Sequence, residues 1–149
     1  MQTRCFHKFL PAGPRADLEA ELLDKAATLG VAPLLYDVLQ HKDELVLCME
    51  RVDGQTLYEL YGDDPRNIPN TVWGDIHSIL ERLFDMEGIE YIDITPFNFM
   101  MTKNKQGTDK IVILDFGHAV YTENNNGKPR NWFLQEFLDG VYTWNGDFA

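Results

Sequence analysis

The run Asp93-Ile94-Thr95-Pro96-Phe97-Asn98 sets a carboxylate and a side-chain amide close together in the chain. Farther on, the apolar run Ile111-Val112-Ile113-Leu114 ends in Asp115-Phe116-Gly117. These residue types suit phosphoryl transfer. Magnesium keeps near-octahedral oxygen coordination, using one or two carboxylates and the oxygens of a phosphate. A side-chain amide oxygen can be its neutral second ligand. A separate carboxylate must orient the attacking hydroxyl and take its proton. Asp115 and Asn98 are therefore the candidate metal ligands, and Asp93 is the candidate catalytic base. Gly117 frees the backbone where the chain turns away from the metal. Taken singly, Asp93 caps a turn, Asn98 satisfies a loop and Asp115 ends a strand. That reading leaves their joint order unexplained.

These residues need elements to hold them. Residues 97–101 and 110–114 read as two strands around a polar turn at Gln106-Gly107, a hairpin that brings Asn98 back to Asp115. Before them, Val72, Trp73, Ile76, Ile79, Leu80, Leu83 and Phe84 recur at helical spacing, predicting a helix over 71–87 that Gly88 stops. Trp73 falls on its core face. Leu18, Leu22, Leu23, Ala26 and Leu29 predict a helix over 17–29, with Asp17 as N-cap and Gly30 past its end. Residues 4–10 read as a short strand. Residues 33–39 and 44–50 read as a hairpin turning at His41-Lys42-Asp43. Asp53-Gly54 marks a turn, 55–61 a short helix, 62–70 a polar loop, Asn124-Asn125-Asn126-Gly127 a turn and 130–139 a last helix. The order is an α+β mixture in one domain, not a repeating βαβ sheet.

Composition bounds the rest. Of 149 residues, 44% are apolar, 12% aromatic and 25% charged, the balance of an ordinary globular domain. Thirteen basic against 24 acidic residues give a formal charge of −11. Such a chain lacks the basic face that nucleic acid or anionic lipid requires. A nucleotide site stays open to it, because one or two cations, backbone N–H groups and a metal suffice. No apolar run approaches the roughly 18 residues of a membrane span, and Met1 to Leu10 is no secretory signal. Cys5 and Cys48 read as two reduced, mostly buried thiols of a cytoplasmic protein. His77 and His118 have no partner that the sequence names.

The stretch from Tyr91 to Ala119 resembles the protein-kinase superfamily: Asp93-x-x-x-x-Asn98 is similar to its catalytic loop and Asp115-Phe116-Gly117 to its metal-binding motif. The resemblance covers roughly residues 4–119 in order and is strong over 91–119. It implies a protein-kinase-like fold, with an N-lobe remnant over about 1–53 and a truncated, mainly helical C-lobe over about 54–149. ATP and Mg²⁺ are the implied cofactors. Met49 would be the gatekeeper, the backbones of Glu50 and Val52 would meet adenine, and Met100 would join the nucleotide site. Glu19 is the candidate ion-pairing glutamate of the first helix, with Glu21 as competitor. Lys8 is the candidate phosphate-binding lysine, with Arg4 as the alternative.

The departures are specific. No GxGxxG occurs, so the loop that covers ATP phosphates is missing. The nucleotide would sit in an open site, or another chain would close it. Tyr91-Ile92 stands where kinases usually carry His-Arg, and Thr95 where serine/threonine kinases usually carry Lys. The first helix is similar to that of the RIO- and Bud-type atypical kinases, and Thr95 resembles the Bud type. No Ala-Pro-Glu follows Gly117. The chain resembles pared-down kinases of large DNA viruses or secreted bacterial effectors, which would place it in host cytoplasm. Three functions follow: an active serine/threonine protein kinase, a pseudokinase that binds and regulates a partner kinase, or a small-molecule kinase of the aminoglycoside or choline type.

Overall fold

A computed structural model describes residues 5–123 and 126–148. Arg4, and with it the alternative to Lys8, lies outside these, as do Asn124 and Asn125 of the expected turn. The chain is α+β: three small antiparallel sheets and four α-helices among the described residues.

β1 (Cys5–Pro11), β2 (Leu35–His41) and β3 (Glu44–Glu50) form the first sheet, in the order β1-β3-β2. β2 and β3 make the expected hairpin, with Lys42 at φ 55° in its turn. Register pairs Phe6 with Met49, Lys8 with Leu47 and Leu10 with Leu45, so these residues share one face. Leu45, Leu47 and Met49 are buried there together with Leu22, Leu23 and Ala26 of α1 (Pro14–Thr28).

α1 starts earlier than its apolar spacing suggested. Gly13, not Asp17, is the N-cap, because Pro14 fits the first helical turn, where its missing N–H costs nothing. Asp17 instead lies in the first turn, where its charge suits the helix N-terminus.

The cysteines are not reduced thiols. Cys5 and Cys48 are joined as a disulfide with a Cα–Cα separation of 5.5 Å, and both are half-buried. The register sets Cys5 opposite Glu50 and Cys48 opposite His7, so the bridge runs diagonally between neighbouring strands. Which strands neighbour each other is a tertiary fact, and spacing in the sequence does not carry it.

The expected helix over 55–61 divides into β4 (Gln55–Thr56) and α2 (Leu57–Tyr61). Thr56 caps α2 through a reciprocal capping box with Glu59. A single 3₁₀ turn, Pro65–Asn67, interrupts the loop that follows. α3 (Asn70–Glu87) buries Val72, Trp73, Ile76, Ile79, Leu80 and Leu83, each contributing about 1.5–3 kcal/mol on burial. It ends at Gly88, at φ 64°.

β6 (Phe99–Lys103) and β7 (Asp109–Ile113) form the hairpin between Asn98 and Asp115, with β4 on the β6 edge. A pairing the sequence did not suggest, β5 (Ile89–Glu90) with β8 (Val120–Tyr121), closes the chain around the intervening segment. α4 (Trp132–Leu138) packs Phe137 edge-on against Trp73 of α3. No helix among the described residues is long and apolar enough to cross a membrane.

Candidate active site

Asp93 lies in the loop between β5 and β6, Asn98 ends that loop, and Asp115 follows β7. Leu114 donates its N–H to the Asn98 carbonyl at 2.9 Å, which sets Asn98 beside the residue preceding Asp115. The Asn98 side-chain nitrogen donates to the Asp93 carbonyl at 3.0 Å. This orients the amide so that its oxygen is the end left for a ligand. The hairpin thus gathers Asp93, Asn98 and Asp115 in one place.

Lys8 reaches the same place from the first sheet. Its Nζ is 2.6 Å from Glu19 Oε2 and 3.3 Å from Asp115 Oδ1. Strand alternation puts Lys8 on the sheet face that α1 covers, and Glu19 is on the buried side of α1. Glu21 is exposed, and its carboxylate meets the Tyr121 hydroxyl instead. Of the two glutamates, the structure brings Glu19 to Lys8.

Nearby residues fix the backbone of the Asp115 segment. Tyr91 Oη donates to the Asp115 carbonyl at 2.7 Å. Arg15 Nη2 donates to the Phe116 and Ala119 carbonyls at 2.8 and 2.7 Å. The Gly117 N–H donates to Asp115 Oδ1 at 2.7 Å. A Cβ at Gly117 would stand 3.0 Å from that oxygen and 3.4 Å from Glu19 Oε1, so a larger residue here presses on both carboxylates. The Tyr91 hydroxyl has its pKa pushed well above 10, chiefly by burial and further by the charges of Asp93, Asp115 and Glu19.

Asp93 is itself held. His118 Nδ1 lies 3.1 Å from Asp93 Oδ2, and the His118 ring packs on Phe148 at 4.8 Å between centroids. Asn145, 3% exposed, donates its N–H to the Ile94 carbonyl at 2.8 Å and its side-chain nitrogen to the Ile92 carbonyl at 2.9 Å. The sequence left His118 without a partner and did not single out Arg15 or Asn145. Only the adjacency of His118 to Gly117 was a signal. His77 also has partners: Tyr142 Oη at 2.9 Å and the Glu81 carboxylate at 3.5 Å.

The candidate nucleotide-binding residues are placed as follows. Met49 is buried in the core. Glu50 donates its N–H to the Leu34 carbonyl at 2.7 Å, and its carboxylate accepts from the Leu34 N–H at 3.0 Å. Val52 follows two residues later, past the end of β3. Thr102 Oγ1 donates to the Asp53 carbonyl at 2.5 Å. A Cβ on Gly54 would meet the Met101 carbonyl oxygen at 2.1 Å, so only glycine lets the connecting chain lie this close to β6. Met100 is half-buried on β6 opposite Val112. A cavity of about 700 Å³ lined by Asp53, Gln55, Leu60, Tyr61, Met101 and Lys103 is separate: none of Lys8, Glu19, Asp93, Asn98 or Asp115 lines it.

Glu19, Asp93 and Asp115 against Lys8 make the site net negative, which favours a cation. The oxygen donors of Asp115 and Asn98 suit magnesium, which keeps water and phosphate in its remaining positions. Among the described residues no cluster of three His, Cys, Asp or Glu side chains forms a tighter all-protein cage. No protein-family model matches the chain, and no curated protein matches it.

Proposed function

We propose that the chain is an ATP- and Mg²⁺-dependent phosphotransferase of the protein-kinase type that acts on serine or threonine hydroxyls of a protein substrate. Under this reading the first sheet with α1 is a reduced N-lobe, and the remainder is a C-lobe. One observation carries it: Lys8, Glu19 and Asp115 converge from three separate elements at the loop that holds Asp93 and Asn98.

Of the three N–H donors of Lys8, one goes to Glu19, and Asp115 Oδ1 stands 3.3 Å from Nζ as an ion pair. A remaining donor is available to a phosphate oxygen. Asp115 and Asn98 would hold the magnesium ion, which would neutralise charge on the transferring phosphates. Asp93 orients the acceptor hydroxyl and takes its proton. The hydroxyl oxygen forms the new bond to the γ-phosphorus as the bond to the bridging oxygen breaks, and ADP leaves with that electron pair. The Glu50 carbonyl and the Val52 backbone meet the base, with Met49 and Met100 beside it.

A pseudokinase that regulates a partner kinase is the second reading. It draws support from the lack of a GxGxxG sequence and from the outer edge of β1, which pairs with nothing among the described residues. Two measurements separate the readings. ATP with Mg²⁺ raises Tm relative to ATP with EDTA, since a ligand at about 100 times its Kd adds about 2.7 kcal/mol. The wild-type chain transfers labelled γ-phosphate to a protein acceptor, and Asp93→Ala and Asp115→Ala abolish transfer while keeping the fold. A thermal shift without transfer moves the assignment to the pseudokinase. The absence of both a thermal shift and transfer refutes nucleotide chemistry at this site.

A further inference from the structure

We infer that His118, resting on Phe148, is a positioning residue for Asp93, and that the C-terminal segment 145–148 braces the loop from which Asp93 acts. The inference rests on Asp93 being the base proposed above. The Asp93 side chain is 11% exposed, and its Oδ2 faces His118 Nδ1. Holding one carboxylate oxygen by a ring nitrogen fixes the plane of the group and directs the other oxygen to the acceptor. A base must stand within hydrogen-bond reach of the proton that it takes, so a free rotation of this carboxylate weakens it directly.

The support beneath His118 is continuous. Its ring packs against Phe148, and the Phe148 N–H donates to the Asn145 carbonyl at 3.0 Å. Asn145 in turn binds the carbonyls of Ile92 and Ile94, the two residues that flank Asp93. One short segment therefore holds both the backbone on either side of Asp93 and, through His118, its carboxylate. His118 also follows directly on the Asp115-Phe116-Gly117 turn. Its contact with Asp93 consequently ties the position of the base to the segment that carries the metal ligand.

His118 is 58% exposed and Phe148 half-buried, so both tolerate substitution without a core cavity. His118→Leu lowers kcat by about 10- to 100-fold, the scale of a misplaced reacting group, with KM for ATP within about twofold. His118→Asn, which keeps a donor where Nδ1 stands, recovers most of kcat, and Phe148→Ala gives an intermediate loss. Imidazole ¹⁵N spectra at alkaline pH test the contact without activity. They show the Nδ1–H tautomer in wild type and its loss in Asp93→Ala. An active wild type whose kcat is unchanged in His118→Leu overturns the positioning role and leaves the kinase reading intact. Loss of kcat that His118→Asn does not recover also overturns it. An inactive wild type that still shows the Nδ1–H tautomer overturns it by the failure of the kinase reading, with the contact then purely structural.

Discussion

Lys8→Met isolates the contact that joins the first sheet to the rest of the site. The substitution keeps the apolar stem and removes the charge. It leaves Glu19, whose side chain is 7% exposed, facing Asp115 with no cation between them. Two unit charges 4 Å apart interact by about 4 kcal/mol at an effective dielectric of 20. Desolvation and the part-exposed lysine offset much of that. A buried acceptor deprived of its partner costs about 1–3 kcal/mol, and this range is the expected destabilisation. For a chain of this size it lowers Tm by about 2–4 °C per kcal/mol. Urea denaturation of Lys8→Met, Glu19→Gln and the double variant should return a coupling of about 1–3 kcal/mol, because Glu19→Gln removes the charge that Lys8→Met strands. Under the proposed function, ATP binding falls by more than stability does, since the Lys8 donor to phosphate is lost as well. A coupling below about 0.3 kcal/mol, the usual scatter of independent sites, refutes the contact. An unchanged Kd for ATP refutes the assignment of Lys8 to phosphate.

Gly54→Ala should destabilise by about 1–3 kcal/mol, the range for overpacking, because its Cβ meets the backbone oxygen of Met101 and not a yielding side chain. A urea midpoint equal to wild type would contradict the close approach of this segment to β6. Tyr91 gives a pH dependence. Burial holds its hydroxyl protonated above the pH at which the unfolded tyrosine ionises. From about pH 10 upward the unfolded state therefore binds fewer protons than the folded one, and stability falls with pH by up to about 1.4 kcal/mol per unit for this group. Tyr91→Phe should reduce that alkaline slope by one proton while lowering stability at neutral pH through the lost hydrogen bond to Asp115. An unaltered slope in denaturation at pH 10–12 would show that Tyr91 is not the group responsible.

Much of the site was legible in the sequence because its members are short-range in the chain or periodic. Asp93 and Asn98 share one loop, and a hairpin of ordinary length returns the chain to Asp115. The sequence left Glu19 and Glu21 as competitors, and the fold separates them by face: Glu19 lies on the buried side of α1 and Glu21 is exposed. The unread part depended on contacts between distant segments. Arg15 meets Phe116 and Ala119 across most of the chain. Asn145 lies in a segment without helical or strand periodicity, and its function comes from two carbonyls near Asp93. The disulfide and the β5–β8 pair are of the same kind, since register between strands, and not spacing within one, brings those residues together. The start of α1 was misplaced for a local reason, as Asp17 is a good cap and Gly13-Pro14 a better helix entry.

Burial sorts the two carboxylates that share Lys8. Glu19 is 7% exposed and Asp115 44%, although both lie near the same ammonium group. An ion-pair network serving stability alone has no need of that asymmetry. Glu19 is enclosed by α1 and the sheet, and its ion pair with Lys8 fixes where Lys8 points. Asp115 is the reverse: its backbone is pinned by Tyr91 at its own carbonyl and by Arg15 at the next residue, while its side chain is 44% exposed, with Oδ1 held by the Gly117 N–H and facing Lys8. A rigid backbone beneath an exposed carboxylate is the arrangement that a metal ligand requires, because the coordinating atom must be both pre-positioned and accessible. Asp93 differs in being only 11% exposed, but its main chain is held in the same way: Asn145 binds the flanking carbonyls, and His118 lies at one oxygen of the side chain. At both aspartates the main chain is held by side chains from other segments, which is the pre-positioning that the proposed roles require.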